Sequence, residues 1–395
     1  MTVRVSKPAF NVREKLTELD VPVGAHGSQL MKSSSAEETF DLLGLSSGKR
    51  NVIVNGAMRF NQRGAASYDA ANYTLDRWRY HRSTDGEFDI KPSTVAPPGF
   101  SNSLHVDCKV ASATVTSGAY ARLRYFIEGY DCQRFGKGTS KPKNFCLSFY
   151  AKSNCPGTYS VNLQEHSSSP ARVITRNYTI RDDEWHRYVI VFPNETAYPI
   201  ANSNVTGIEI QFGLTHGSNH TGGEGRDGWT AYAQNKLHSG ASVNLYATTD
   251  NNWYLTGVQL EAGDVATPFE HLTYQEDLSR CQRYYWQITQ DGSGVAAYIG
   301  ASVGYGSGNY NLVAIAHPVE MRVPVHAVTV TSTTSHYQLW GGNTVVNLTA
   351  VPALRTTNSK FQTPLDLEYS VSSGEVRMFR IAGSSSAYIG FSAEM

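Results

Sequence analysis

Few residues in this chain have the types and spacing that catalysis needs. Hydrolysis of a glycosidic bond takes two carboxylates flanking the scissile oxygen; Glu165 with Asp182, or Glu224 with Asp227, offer the groups, but nothing in their spacing selects them. Gly300-Ala301-Ser302-Val303-Gly304 spells G-x-S-x-G, yet a glycine-rich loop follows where a nucleophile elbow needs a helix. His216 and His220 stand four apart in a glycine-rich loop, and without helical geometry that spacing fixes no metal position. Asp250-Asn251-Asn252 is an oxygen-rich loop that could hold a structural calcium. Phosphate-binding and dinucleotide fingerprints are absent. The expectation is a non-enzymatic protein that needs no cofactor.

Binding suits the residues better. Tyr and Trp in Gly/Ser/Asn-rich loops offer rigid area with little rotameric freedom to lose, and their faces stack on the C–H surfaces of sugars. One group is Tyr305, Asn309 and Tyr310 with His336, Tyr337, Gln338 and Trp340. A second runs from His216 through His220 to Trp229. The same aromatics would equally suit a seam between subunits.

Lys+Arg and Asp+Glu balance at 34 each, which argues against a nucleic-acid partner. No apolar run nears the roughly 18 residues that cross a bilayer, so no membrane insertion is expected. Pro8, Arg13, Glu14, Lys15 and Asp20 interrupt any signal-peptide core. The five cysteines form no C-x-x-C pair and read as reduced, buried thiols. Assembly in a reducing cytoplasm follows.

The elements that must position these residues are strands. In residues 1–50, Asn11 to Leu19 suits a short helix, and Ser35 with Glu38 fits a capping box; the apolar content there is too low for a core, which predicts an attachment segment ordered by a partner. From Asn51 the period is two: Leu104/Val106/Cys108, Phe145/Leu147/Phe149, Tyr159/Val161/Leu163, Tyr188/Ile190/Phe192 and Ile208/Ile210/Phe212. Turn residues separate these runs, so residues 51–274 are expected to form an antiparallel jelly-roll sandwich. Residues 275–286 read as a hinge or short helix, and 287–395 as a distal β-sandwich. The fold class is mainly β.

Several segments resemble the tail fibres and receptor-binding proteins of tailed bacteriophages. They are Pro8–Leu16, Asn51–Gly64 with Tyr73–Trp78, Trp253–Glu270, Cys281–Tyr285 and Ala387–Met395. Asn61 departs from the pattern, which often has an aromatic residue there. Asn51–Gly64 is similar to the first strands of the family's jelly roll, a module that also resembles carbohydrate-binding jelly rolls of glycosidases. The resemblance implies a homotrimeric virion fibre that attaches to tail, nozzle or adaptor proteins through residues 1–50. It also implies a host surface glycan or outer-membrane receptor bound at the distal tip. A depolymerising tailspike and a purely structural spacer are the alternatives. Arg63 and Arg77 are candidates to hold carboxylates at the domain borders, with Asp76, Glu261 and Glu270 as partners.

Overall fold

A computed structural model describes residues 25–33, 39, 49–69, 72–83, 85–225, 227–290, 294–305, 310–370 and 372–395. Two compact units result, Met1–Lys49 and Arg50–Met395. In the first, helix α1 spans Ala25–Lys32. The helices expected at Asn11–Leu19 and after Ser35 lie outside the described residues.

The second unit begins with two facing sheets. Their strands are β1 (Trp78–Arg82), β2 (Glu87–Ser93), β3 (Ser103–Val110), β4 (Tyr120–Glu128), β5 (Phe145–Ser153) and β6 (Gly157–Glu165). After them come β7 (Arg172–Ile180), β8 (His186–Phe192), β9 (Thr206–His216), β10 (Thr230–Ala231) and β11 (Asn252–Ala262). A six-stranded sheet runs β1-β4-β9-β6-β7-β10 and a five-stranded sheet β2-β3-β11-β5-β8. Alternation along each strand sends one face inward. Trp78, Leu123, Phe212 and Val161 from the first sheet meet Phe88, Val106, Leu147 and Trp253 from the second in one core. This is the expected jelly roll, with most strands where the two-residue period put them. One expectation is corrected: Asn51–Gly64 holds no strand. It is a buried, irregular strap, because Asn51 and Asn55 satisfy its backbone with their side chains. The Asn51 amide oxygen accepts from Ile53 N at 2.9 Å and Leu260 N at 3.1 Å, and that of Asn55 accepts from Phe60 N at 3.0 Å.

Helix α2 spans Tyr274–Gln282, and the strands of the second sandwich begin at Tyr285. The strands are β12 (Tyr285–Thr289), β13 (Ala297–Tyr305), β14 (Tyr310–Ala316), β15 (Ala327–Val330) and β16 (Tyr337–Gly341). They continue with β17 (Thr344–Asn347), β18 (Ala353–Leu354), β19 (Gln362–Glu368), β20 (Val376–Ile381) and β21 (Tyr388–Ser392). A three-stranded sheet, β12-β21-β15, packs on a seven-stranded one, β17-β16-β20-β13-β14-β19-β18. Their core includes Trp286, Phe391, Leu339, Leu365 and Phe379, with Trp286 stacked on Phe391 at 4.6 Å. All five cysteines are free.

Charges join the two sandwiches. Arg77 is 1 % exposed. Its guanidinium pairs with the Glu394 carboxylate, donates to the Phe126 carbonyl and lies 3.4 Å over the Tyr284 ring. Burial works against that charge, and Glu394 together with Tyr284, Tyr125 and Tyr73 outweighs it, holding the pKa well above its ordinary value. Arg63 approaches Asp76 at 3.7 Å and Glu394 at 3.5 Å. Arg283 grips Glu128 with two 2.9 Å bonds, and Arg322 donates to the carbonyls of Ala393, Glu394 and Asn204. Of the border carboxylates named from sequence, Asp76 meets Arg63. Glu270 and Glu261 do not serve the arginines: Glu270 accepts from the Arg50 and Asn51 amides, and Glu261 from Thr267. Glu394 went unforeseen.

Removing one partner of a buried pair leaves an uncompensated charge, which costs about 3–5 kcal/mol. Glu394→Ala is therefore expected to lower stability by about that amount in urea titrations of the full chain. Arg77→Met combined with Glu394→Leu should cost clearly less than Glu394→Ala alone; an equal or larger loss would mean the pair is not the element that matters.

Candidate functional site

The outer face of the six-stranded sheet is polar to an unusual degree. Register places Arg79, Arg124, Gln211, Asn162 and Thr175 in one row across β1, β4, β9, β6 and β7. The neighbouring row is His81, Arg122, Gly213, Ser160 and Asn177. Glu209 and Gln164 follow in the next. Solvated sheet faces usually carry exposed charges and hydroxyls, yet Arg122, Glu209, Gln211, Asn162, Gln164, Ser160 and Thr175 are all buried.

Over the β6–β7 half, a covering segment after β9 accounts for the burial. The Asn162 amide donates to the Leu237 carbonyl at 2.6 Å, Thr175 Oγ1 to that of Lys236 at 2.8 Å, and Ser160 Oγ meets His238 Nδ1 at 2.8 Å. The His238 ring stacks on His216 at 3.5 Å. Gly213 makes room for this: a Cβ there would lie 2.6 Å from both His238 Nδ1 and Ser160 Oγ.

Over the β1–β4–β9 half the floor consists of guanidiniums, rings and amides. Tyr120 lies 5.0 Å from the His81 ring and 5.3 Å from His220, with the Arg122 guanidinium 4.8 Å above it. Arg124 is held by Glu209, which also meets His166 Nε2 at 2.9 Å. Burial would raise the Glu209 carboxyl; the bonds from His166 and Arg124 overcome it and hold it at about 2. Burial and then Arg122 push His81 down to about 4, while burial drives His216 and His238 well below the ordinary histidine range. Many atoms remain without a hydrogen-bond partner: Arg79 Nε, Arg122 Nε and Nη1, Gln211 Oε1, Asn162 Oδ1, Asn177 Oδ1, His216 Nε2 and His238 Nε2. Buried polar atoms are nearly always satisfied, and here unpartnered ones are concentrated on one face of one sheet.

Sequence reasoning named His216, His220 and Trp229 here. The structure brings the two histidines together, adds His238, and places Trp229 elsewhere: it is 9 % exposed, donates to the Pro193 carbonyl at 2.7 Å and lies under Lys137. The arginines and amides of the floor were missed. The available signal was guanidinium, carboxylate and carboxamide at alternate positions of three strands: Arg122/Arg124, Glu209/Gln211 and Asn162/Gln164.

In the distal group, Tyr305 and Tyr310 face each other across the β13–β14 pair with rings 6.2 Å apart, and Tyr305 donates to Asp366 at 2.8 Å. Asn309 lies outside the described residues. Trp340 is 39 % exposed and meets Tyr298 edge to face at 6.1 Å. Gln338 bonds Asn347 and accepts from Arg380, and His336 meets Thr331. Tyr337 is corrected: it is fully buried, its hydroxyl donates to the Tyr388 carbonyl at 2.8 Å, and it is a core side chain that offers no ring face.

Glu165 and Asp182 do not come together. Glu165 pairs with Arg172 at one end of the β6–β7 hairpin, and Asp182 follows Ile180, which pairs with Gly157, at the other. Eight strand steps, roughly 26 Å, separate them, far beyond the roughly 5–9.5 Å of a glycosidase pair. Ser302 is buried within β13 and donates to the Arg377 carbonyl at 3.0 Å. Asn251 and Asn252 spend their amides on the carbonyls of Leu245 and Asp250. Among the described residues, the acids close enough to share a cation are Asp69, Glu87 and Asp89, and the Lys109 ammonium stands among them at 2.8, 2.9 and 3.6 Å.

No protein-family model and no curated protein matches the chain. Solved structures do. The enzymatically active domain of tailspike protein 4 of bacteriophage CBA120 is 15 % identical with a TM-score of 0.29, over 54 % of this chain and 21 % of that one; the match spans only about a fifth of that domain. The family 11 carbohydrate-binding module of a cellulosomal cellulase of Clostridium thermocellum is 12 % identical with a TM-score of 0.27, over 53 % of this chain and 99 % of the module. A xylan-binding domain from Paenibacillus barcinonensis is 8 % identical with a TM-score of 0.28, over 56 % and 100 %. Likenesses of this size decide nothing about what the chain binds.

The buried histidines give the molecule a pH signature. The unfolded chain protonates them below about 6.5, while the folded chain keeps His216 and His238 neutral. Stability is then complete above about 6.5 and falls with pH, by at most about 3 kcal/mol per unit for the two. Asp76, raised to about 6 by burial, works in the opposite sense between about 3.8 and 6, because there the folded state holds the extra proton. The melting temperature should drop between pH 7 and 5. A flat profile would show that the imidazoles titrate freely in the fold.

Proposed function

We propose that this chain is a receptor-binding fibre protein of a tailed phage whose jelly roll binds a host-surface glycan on the outer face of its six-stranded sheet. The observation that carries the glycan reading is the floor of β1, β4 and β9, where guanidiniums, rings and the Gln211 amide are gathered with Arg79 Nε, Arg122 Nε and Nη1 and Gln211 Oε1 unspent. Sugars present hydroxyls in a plane and C–H faces above and below, which such a floor matches with fixed donors and with Tyr120 and His81. The fibre reading rests on the sequence segments resembling tail fibres; in it residues 1–50 join the tail, the particle carries three copies, and the protein does no glycan hydrolysis.

A second reading keeps recognition at the distal sandwich. Tyr298, Tyr310 and Trp340 are 53, 48 and 39 % exposed and share the outer face of the seven-stranded sheet with Val303 and Val376. The same face would serve three copies as a seam.

Two pairs of variants separate the readings, scored by adsorption of the full chain to host cells and by melting temperature. His81→Ala with Tyr120→Ala is expected to weaken adsorption at least about tenfold, the loss of about 1.4 kcal/mol, with folding retained. Tyr310→Ala with Trp340→Ala should leave it intact. The reverse pattern moves recognition to the distal sheet, and dissociation of the second pair into monomers identifies that sheet as the seam. Light scattering of the wild type should give three times the chain mass, and purified host polysaccharide should stay uncleaved.

A further inference from the structure

Resting on the reading of this sheet face as glycan-binding, we infer that the glycan it takes is acidic and that its carboxylate is received by Arg122. The two polar rows contain three guanidiniums, those of Arg79, Arg122 and Arg124, and no carboxylate. Glu209, in the adjoining row, is committed to Arg124 and His166. Arg122 is 9 % exposed. Its contacts are a 3.4 Å approach of Nη2 to His81 Nδ1 and the face of Tyr120, while Nε and Nη1 have no partner.

A buried guanidinium without a counter-ion is rare because desolvation of the charge goes uncompensated. Here the surroundings make matters worse. Burial, and then the charge of Arg124, bring the Arg122 pKa down to about 10, still far above neutrality, so the residue stays cationic. The imidazoles near it are neutral and cannot balance it. Nε shares with Nη2 the edge that receives a carboxylate in two parallel bonds, and the only hydrogen-bond contact of Nη2 is the 3.4 Å approach to the neutral His81 ring, which a carboxylate would replace. A uronic or sialic acid would supply the missing charge and both acceptors at once, and its ring hydroxyls would fall beside Gln211 and His81. A neutral sugar would leave the positive charge where it is.

The test uses the full chain at fixed ionic strength, with melting temperature and calorimetry as readouts. The probes are glucuronate, galacturonate and N-acetylneuraminate, the neutral sugars glucose and galactose, and sulfate as an anion without a sugar. At least one acidic sugar is expected to bind ten times more tightly than the neutral sugars and more tightly than sulfate. Arg122→Gln should lose that preference and Arg122→Lys keep part of it. Arg122→Met should fold with an unchanged or higher melting temperature, since it removes an unpaired charge. Equal binding of acidic and neutral sugars, unaltered in Arg122→Gln, would overturn the inference and leave the glycan reading standing. Sulfate binding as well as any sugar would overturn both, as would no binding of any probe.

Discussion

Arg77 is the residue on which the arrangement of the two sandwiches depends. Its backbone sits at φ 74°, a left-handed conformation that costs a non-glycine residue roughly 1–2 kcal/mol. That turn precedes β1 and directs the side chain away from the jelly-roll core, between Tyr125 and Tyr284, to the Glu394 carboxylate. The strain is tolerable because the interactions it enables are made in a dry environment, where a paired and hydrogen-bonded charge is strongly held. Arg63, Arg283 and Arg322 repeat the device around it. A junction built from apolar area alone could slide; one built from forked guanidiniums on fixed acceptors has a single register.

The polar sheet face follows the opposite logic. At the junction Arg63, Arg77 and Arg283 have carboxylates and Arg322 has three carbonyls, whereas on the floor of β1, β4 and β9 only Arg124 has an anion. Leaving donors and acceptors unmatched costs stability, and the jelly roll can bear this because the inner faces of the same strands bury Trp78, Leu123, Tyr125 and Phe212 completely.

The strands were largely legible in the sequence, since a period of two survives in Phe145–Ala151, Ile208–Phe212 and Ala387–Phe391 whatever the partners. Lateral neighbours were not. Nothing local tells that Arg124 will lie beside Gln211, 87 positions later, with Asn162 on its far side, so residues that read singly as solvated form a continuous floor. Tyr337 misled because a tyrosine flanked by His336 and Gln338 resembles a loop platform, while β16 turns it inward onto the Tyr388 carbonyl. The Asn51–Gly64 strap looked like strands because its apolar residues are buried, but the asparagine side chains replace the ladder. Glu394 was missed because a carboxylate near the end of a chain ordinarily lies in water.

The Arg77–Glu394 contact spans 317 positions, and this has a kinetic side. A contact between residues so distant, belonging to different cores, can close only after both cores have formed, since the entropy of joining them earlier is not repaid locally. It belongs to the downhill side of the folding barrier. Strengthening or weakening it changes how long the assembled protein lasts while hardly altering how fast it is made. The clamp therefore acts as a setting on the lifetime of the folded chain.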